Sequence, residues 1–388
     1  MKIKVERDVL AEAVAWAART LPTRPSVPIL AGLLLKAANE QVSMSSFDFE
    51  TAAKITVPAQ VEEEGVALVS GKLLSEIARS LPDRPVELET DVNSMRLTCG
   101  SANFTLQLLP VDEYPALPAM PEATGSIDSQ VFASAVGQVA VAAGKDELLP
   151  VFTGVRVELE GDKLSLLATD RYRMALKEIE WKPTAKIEEG NALVPARVLV
   201  ETAKSLTTGD EVTVALAQTS SAGGDGMIGF EGIGPAGRRQ ITTRLLDGEF
   251  PKVRHVMDIQ PTMTVRLATA ELMAAVKRVS LVAERNTSLR MMVADEAITL
   301  EAATGDQAQA VEELEAVVQD LTGEGYSLSA AGFNPHYLSD ALSIIDAPYV
   351  SFAFTAPGKP CLLTALDEID GDPRPDYRHV IMLMRIPA

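Results

Sequence analysis

The chain has 388 residues, and its composition of 47% hydrophobic and 23% charged residues is ordinary for a globular protein of about two or three domains. Its net charge of −19 argues against a general nucleic-acid binder, although a local basic surface can still act because salt screens charges over about 8 Å. The chain has only two cysteines, Cys99 and Cys361, which argues against a disulfide framework and predicts a reducing cytoplasm. It shows no signal-peptide core and no apolar run approaching ~18 residues, so we expect no membrane contact.

The first third of the chain reads as a β-rich domain with two helices. Residues 9–21 have apolar side chains at helical spacing, with Asp8 as a candidate N-cap. A hairpin at 32–48 and a strand at 51–58 follow. A strand then leads into a second helix across 67–81, which is followed by strands at 86–90, 94–99 and 103–108. The proline-rich segment 116–121 is a linker.

The same order of elements recurs in the middle of the chain. Gly154 and Asp170 bound a second hairpin and are separated by 16 positions, as are Gly32 and Asp48. A helix is expected at 131–143, and segment 192–206 aligns with 67–81 without a gap. Residues 218–237 are rich in glycine and serine and are interpreted as a flexible insertion at a hairpin tip.

The last third is a more divergent third copy. It has a hairpin at 288–304, a helix near 272–282, a second helix at 334–345 and strands at 349–355 and 380–385. Asn334 is a candidate N-cap, with Pro335 at the first helical position. The sequence therefore predicts an α+β protein of three repeated domains, at 1–120, 121–254 and 255–388, each with two helices packed on antiparallel β-sheets.

The second helices of the first two repeats share a basic pattern. Lys72 and Arg79 lie on one helix face, opposite the apolar side chains that include Leu73, and a shift of 125 positions gives Arg197 and Lys204. The second helix of the third repeat has no basic residue, and the first helix there has Lys277 and Arg278 instead. Two interpretations remain open from the pattern alone: a surface for phosphate groups, or an ordinary solvated helix face.

Catalysis has little support in the sequence. The histidines, His255, His336 and His379, are far apart and show no metal-ligand spacing, and no phosphate-binding loop or nucleophile elbow appears. Asp48 and Asp170 recur at the hairpin ends, where a turn-capping role is favoured over that of an acid or base in an interdomain site. We expect no catalytic residue, no metal and no cofactor.

Aromatic and methionine side chains suggest a protein-binding surface. Residues 169–174 and the tail 379–385 could together line a peptide groove, since methionine suits adaptable binding surfaces. The alternative is that Met382 and Met384 are ordinary strand residues with one buried face.

Several short motifs resemble those of the bacterial sliding clamp, the beta subunit of DNA polymerase III, and the resemblance covers the whole chain. They are residues 1–7, Arg24-Pro25 with 28–30, 168–173, 249–251, Phe333-Asn334 with Tyr337, and 382–385. The resemblance implies a homodimer of two head-to-tail chains that forms a ring of six domains, with helices lining the hole. It implies a processivity factor in DNA replication, which encircles double-stranded DNA without reading its sequence and tethers the replicative polymerase.

The resemblance also assigns roles to particular residues. The DNA-facing residues would be Arg24, Lys72, Arg79, Arg197, Lys204, Lys277 and Arg278. The peptide-binding groove would comprise Phe152, Thr169, Arg171, Tyr172, Arg173, Met174, Pro251, His255, Val256, Asn334, Tyr337, Val380, Ile381, Met382, Leu383, Met384 and Arg385. The dimer contact would join Ile77, Phe104 and Leu106 of one chain to Ser280 and Leu281 of the other.

The groove would bind the replicative polymerase, the clamp-loader complex, and other polymerases and repair proteins that have clamp-binding motifs. This chain departs from many clamps, which have Gly-His where it has Arg171-Tyr172 and a proline where it has Leu383. Two hypotheses compete with this one. The first is a multi-domain enzyme whose site lies between domains, and the second is an acidic multi-domain scaffold that does not contact DNA, which the charge of −19 favours.

Overall fold

The computed structural model describes residues 1–184, 190–217, 226–283, 287–304, 307–323 and 330–386, which fall into two compact units. The first unit takes Met1–Ala133, Trp181–Val194 and Val198–Leu245, and the second takes Ser134–Glu180, Pro195–Arg197 and Leu246–Ala388. In the ranges given above, no helix has the length and apolar character needed to cross a membrane.

The three repeats have the same order of elements, with nine strands and two helices each among the described residues. The first repeat consists of β1 Lys2–Val5, α1 Arg7–Ala17, β2 Gly32–Ala38, β3 Gln41–Phe47, β4 Thr51–Pro58, β5 Gln60–Glu63, β6 Gly65–Ser70, α2 Gly71–Ser80, β7 Val86–Thr90, β8 Ser94–Cys99 and β9 Ala102–Gln107.

The second repeat consists of β10 Gly125–Asp128, α3 Ser129–Ala140, β11 Gly154–Glu160, β12 Lys163–Thr169, β13 Arg173–Glu180, β14 Lys182–Pro183, β15 Gly190–Pro195, α4 Ala196–Ser205, β16 Glu211–Ala217, β17 Met227–Ile233 and β18 Arg238–Arg244. The third consists of β19 Met263–Ala268, α5 Thr269–Val279, β20 Leu289–Val293, β21 Ala297–Thr304, β22 Ala308–Glu315, β23 Val317–Asp320, β24 Ala330–Phe333, α6 Pro335–Ser343, β25 Tyr349–Phe354, β26 Cys361–Leu366 and β27 Tyr377–Ile381.

In each unit, one long antiparallel sheet combines strands of two repeats. In the first unit the order is β14-β10-β16-β17-β18-β4-β3-β2-β6, so β18 of the second repeat pairs with β4 of the first. In the second unit the order is β11-β12-β13-β27-β26-β25-β19-β23, so β27 of the third repeat pairs with β13 of the second. Because strands are shared in this way, the compact units do not follow the sequence repeats, and the boundaries at 120 and 254 stay predictions.

Each unit also has a shorter sheet with an unpaired edge strand. The order is β5-β1-β7-β8-β9 in the first unit and β22-β21-β20-β24 in the second. Strands β9 and β22 stand at the ends of these sheets. By position in its repeat, β22 corresponds to β4 and β13, and β9 corresponds to β18 and β27.

The apolar faces predicted from the periodicity form the core. In the first repeat, α1 and α2 pack side chains such as Leu10, Val14 and Ile77 against the alternating residues of β2, β3 and β4. Burying a leucine or valine side chain of this kind contributes about 1.5–3 kcal/mol. The hairpins at 32–48, 154–170 and 288–304 are confirmed, as is the pairing of strands within them.

Several details differ from the sequence-based expectations. Helix α1 begins at Arg7 with Glu6 as its N-cap residue, so Asp8 lies in the first turn, where its charge favours the helix dipole. Leu73 is 46% exposed, because the buried stripe of α2 is narrower than predicted. Residues 227–233, assigned to a flexible insertion, form β17, and residues 218–225 lie outside the described residues.

The last strand is also placed differently. It was expected at 380–385, but β27 spans Tyr377–Ile381, since its pairing with β13 begins at Tyr377. Beyond Ile381, Met384 forms only an isolated bridge with Gly332. The interpretation of Met382 and Met384 as ordinary strand residues is therefore wrong.

Candidate peptide and nucleic-acid interfaces

The turn between β12 and β13 is held together by one aspartate. Asp170 Oδ1 accepts hydrogen bonds from the backbone N–H groups of Tyr172 and Arg173, both at 3.0 Å, and Thr169 Oγ1 accepts one from Arg171 N at 3.1 Å. In the first repeat, Asp48 Oδ1 likewise accepts hydrogen bonds from two backbone N–H groups of its turn. The turn-capping role predicted for both aspartates is confirmed.

Both turns require a residue in the left-handed backbone region. Arg171 has φ of 79°, and Phe49 at the equivalent position has φ of 75°. A non-glycine residue in this region costs about 1–2 kcal/mol, which the hydrogen bonds to the aspartate offset. The turn therefore projects the Arg171 and Tyr172 side chains outward, and Tyr172 is 55% exposed.

Arg173 is the buried charge of this region. Its Nε donates to Asp170 Oδ2 at 3.0 Å and its Nη1 donates to Asp340 Oδ2 at 2.6 Å. Its guanidinium group also lies 4.4 Å from the ring centroid of Tyr337. Because a buried charge is stable only when it is paired, Arg173 ties the turn to helix α6, which provides both Tyr337 and Asp340.

Helix α6 places Tyr337 beside the turn. Asn334 caps the helix through its Oδ1, which accepts from His336 N at 3.0 Å and Tyr337 N at 3.3 Å, as predicted for this residue. The rings of Tyr172 and Tyr337 stack with centroids 6.4 Å apart. Burial, followed by the charge of Asp170, raises the pKa of the Tyr337 phenol.

The chain's tail completes this surface. Met382 N donates to Tyr172 O at 2.8 Å and Met384 N donates to Gly332 O at 2.8 Å. Met382, Leu383 and Met384 are half-buried. Met174, Val380 and Ile381, on the neighbouring strands β13 and β27, are buried. Partly exposed aromatic and methionine side chains next to buried apolar residues are suited to binding apolar anchors of a peptide.

The remaining groove candidates lie around this surface. Pro251 and His255 line a cavity of about 400 Å³ together with Arg156, Glu158 and Phe250, and the short helix Arg254–Met257, which includes Val256, lies against β27. Met384 and Arg385 line a separate cavity of about 260 Å³ with Ser288 and Arg290. Phe152 is half-buried in the short helix Pro150–Thr153 and contacts the Arg171 guanidinium group.

His379 is not a surface residue. Burial, aided by the charge of Arg173, lowers the pKa of its imidazole to about 3, so the ring is neutral. Its Nδ1 is 2.9 Å from the hydroxyl oxygen of Tyr377, which is also buried. No group of three or more potential metal ligands occurs in the part of the chain that the structure describes.

The predicted basic residues are all exposed, but they differ in their partners. Arg278 donates from Nε to Glu312 Oε2 at 3.0 Å, so its charge is largely neutralised. The others form no ion pair with a described residue: Arg24, Lys72, Arg79, Arg197, Lys204 and Lys277. Each of these six can therefore offer a free cation to an anionic ligand.

The candidate dimer residues differ in how far they are buried. Ile77 and Leu106 belong to the core of the first unit, with Phe104 packed against it from β9. Ser280 and Leu281 lie in the short helix Ser280–Val282 that follows α5, and Leu281 is 84% exposed. Of these five residues Leu281 is the most exposed, and Phe104 is half-buried.

Sequence reasoning missed two features of the site. Asp340, which pairs with Arg173, stands three residues after Tyr337 on α6, and helical spacing from that tyrosine could have found it. Gln138 Nε2 donates to Ile344 O at 3.3 Å, and its backbone oxygen accepts from the Tyr377 hydroxyl at 3.4 Å. No sequence pattern indicates these long-range contacts.

Comparison with known proteins identifies the class. Three family models match, described as the N-terminal, central and C-terminal domains of the DNA polymerase III beta subunit, at residues 1–118, 126–252 and 255–385. The chain is 52% identical over 100% of both chains to the beta sliding clamp of Streptomyces coelicolor, and 47% identical to that of Micrococcus luteus over 80% of this chain and 98% of the relative. A DNA polymerase sliding clamp from Bacillus subtilis has the same fold, with a TM-score of 0.88 at 24% identity and full coverage of both chains.

The threefold repeat of two helices on antiparallel sheets is thus that of an α+β protein with three clamp domains, as predicted. The chain belongs to the DNA polymerase III beta subunit family. The family resemblance noted in the sequence is confirmed, and nothing in these matches supports a scaffold that does not contact DNA.

Proposed function

We propose that this chain is a DNA sliding clamp, which encircles duplex DNA and tethers the replicative polymerase so that replication is processive. The observation that carries the proposal is the match of all three repeats to domains of the DNA polymerase III beta subunit, with 52% identity to a beta sliding clamp over the full chain. The matched ranges also support domain boundaries near residues 120 and 254.

A ring requires two chains, and the strand pairing supports a head-to-tail homodimer. The fourth strand of one repeat pairs with the last strand of the next repeat: β4 of the first repeat pairs with β18 of the second, and β13 of the second pairs with β27 of the third. Two strands are left over: β22, the fourth strand of the third repeat, and β9, the last strand of the first. Pairing β22 of one chain with β9 of the other would extend the rule across chains and remove two exposed sheet edges.

The DNA contacts that we propose are electrostatic. Arg24, Lys72, Arg79, Arg197, Lys204 and Lys277 would contact backbone phosphates without reading bases, and Arg278 would contribute less because Glu312 neutralises it. A protein of net charge −19 would not hold DNA by affinity alone. Topological linkage needs no tight binding, so a few cations facing the duplex are enough.

The surface around Tyr172, Tyr337 and Met382 would receive short peptide segments of the polymerase, the clamp loader, and other polymerases and repair proteins. The stacked rings and the half-buried methionines support this assignment, because aromatic and methionine side chains bind apolar anchors well. In this role the protein acts in the cytoplasm by tethering, without catalysing a reaction.

The first test is the mass in solution, by light scattering across a dilution series. We expect about twice the chain mass of 41.4 kDa, and a monomer at high concentration would refute the closed ring. The ring is then loaded on nicked circular DNA with a clamp loader. It should be retained at high salt and released when the circle is cut, whereas retention on the cut DNA would contradict topological linkage.

The DNA-facing residues are tested by charge reversal. A variant with Lys72, Arg79, Arg197 and Lys204 changed to Glu should shorten polymerase extension products. The matched control reverses four exposed lysines elsewhere, Lys36, Lys54, Lys163 and Lys359, and changes the net charge equally. If both variants support extension products of wild-type length, the assignment is wrong.

A further inference from the structure

Arg171 is the second guanidinium group at the groove turn, and it differs from Arg173 in having no ionic partner. Its side chain is exposed and forms no ion pair with a described residue. The two carboxylates nearest in the turn and in α6 are already occupied, because Asp170 and Asp340 both pair with Arg173. Arg171 therefore presents an uncompensated positive charge at the rim of the groove.

Two rings hold this guanidinium group in place. Its central carbon lies 5.6 Å from the ring centroid of Phe152 and 5.8 Å from that of Tyr172, within the roughly 6 Å range of cation–π contacts. A long side chain fixed in this way loses little rotamer freedom on forming a further contact. A guanidinium group that packs on rings can still offer N–H groups at its edge to a planar oxyanion.

The backbone conformation alone does not account for arginine at this position. The left-handed conformation at Arg171 recurs at Phe49 in the first repeat, where the side chain is apolar and its ring packs on Phe47 at 5.6 Å. The turn thus needs this conformation in both repeats, whatever the side chain. The chemical difference at the second turn is the charge.

The tail adds a second free cation near the same surface. Arg385 is exposed and forms no ion pair with a described residue, and it follows Met384, which is hydrogen-bonded to Gly332. Arg385 lines the cavity that also includes Met384, so it is a second unpaired arginine next to the tail on a chain of net charge −19. Charge complementarity across an interface gives specificity more than affinity.

We propose that Arg171 makes this groove select peptides with an aspartate or glutamate side chain beside their apolar anchors. The inference rests on the proposed function, since it names the chemistry of the segment that the groove binds. Phe152 and Tyr172 act as positioning residues, because they hold the guanidinium group that contacts the carboxylate.

The test uses fluorescence anisotropy with the full-length protein and a labelled peptide that has the apolar anchors of a polymerase clamp-binding segment. Aspartate and asparagine versions are compared at each non-anchor position in turn. At one position the wild-type protein should bind the aspartate peptide about fivefold more tightly at low salt, as expected for a partly exposed charge pair, and this preference should fall towards one at high salt.

Three variants separate charge from shape. Arg171→Gln should remove the preference for aspartate over asparagine, and Arg171→Lys should keep part of that preference. The control is Lys163→Gln, which removes an exposed charge at the opposite end of β12, about 20 Å away and beyond the screening length. Its preference should equal that of the wild type.

Other outcomes overturn the proposal in distinguishable ways. If the peptides bind but Arg171→Gln keeps the full preference for aspartate, or if no position shows a preference, then the inference is wrong and the groove stands. If no version of the peptide binds, or if Tyr172→Ala binds all versions as well as wild type does, then the assignment of the groove as a peptide-binding site is wrong, and so is the inference.

Discussion

Asp170 and Asp48 provide a matched pair for measuring what the buried charge at the groove contributes. Each aspartate caps the same turn of its repeat through Oδ1. Among the described residues, only Asp170 of the two also pairs with an arginine, whose side chain is 7% exposed. Replacing each aspartate with asparagine keeps an oxygen for the cap and removes the charge, so the difference between the two variants isolates the ion pair.

The expected magnitudes follow from these contacts. Losing a turn cap costs about 1 kcal/mol, so Asp48→Ala should cost that amount and Asp48→Asn close to nothing. Removing one partner of a buried ion pair costs about 3–5 kcal/mol, but Arg173 keeps Asp340 as a second partner. We therefore expect about 2 kcal/mol for Asp170→Asn and about 3 kcal/mol for Asp170→Ala.

The measurement is amide hydrogen exchange, because it reports local opening in a chain of several domains where a single unfolding transition is not assured. Protection of the β12–β13 hairpin should fall by a factor of about 30 in Asp170→Asn, while the β3–β4 hairpin of Asp48→Asn stays near wild type. Equal loss of protection in the two asparagine variants would refute the claim that Arg173 depends on Asp170.

Two further predictions concern buried polar groups. Because burial lowers the pKa of His379 to about 3, the unfolded chain takes up a proton below its ordinary pKa of about 6.5 that the folded chain does not. Stability should therefore fall as the pH falls from about 6.5 towards 3. Between pH 7 and pH 5, the opening free energy of β27 measured by amide hydrogen exchange should fall about 2 kcal/mol less in His379→Gln than in wild type; an unchanged pH dependence would contradict the assignment. Glu12 pairs with the buried Arg239, which also lies 5.0 Å from the Trp16 ring. Glu12→Gln should lower the hydrogen-exchange protection of α1, whereas Glu12→Leu with Arg239→Met should recover most of the loss. If the double variant is less stable than the single one, then the pair contributes more than its desolvation costs.

Much of the fold could be predicted because local patterns and tertiary contacts agree. Alternation of apolar residues gave the three hairpins, and Asn334 with Pro335 gave the start of α6. The exchange of strands between repeats could not be predicted, since a period-2 pattern identifies a strand's buried face but not its neighbour. For the same reason the last strand was misplaced: its start at Tyr377 is set by pairing with β13.

The candidate site was predictable only in part. The sequence singled out Tyr172 and the tail, but the ion pair of Arg173 with Asp340 joins residues 167 positions apart. The buried pair of His379 with Tyr377 was likewise hidden, because polar and charged residues at alternating positions do not indicate which face of the strand is buried. Such contacts depend on packing between elements, which periodicity does not specify.

The hairpin turn and the segment that hydrogen-bonds to it form a backbone joint, which occurs in both the first and the second repeat. Only the second copy has the chemistry of a binding site. At the first joint Arg244 N donates to Glu50 O at 2.9 Å, and at the second Met382 N donates to Tyr172 O at 2.8 Å. The first joint is closed by two threonine hydroxyls, those of Thr51 and Thr243, 2.9 Å apart. The second has Arg173 paired to α6 and stacked on Tyr337. Because the backbone is shared and the side chains are not, the binding function we propose follows from the residues placed on the joint rather than from the fold.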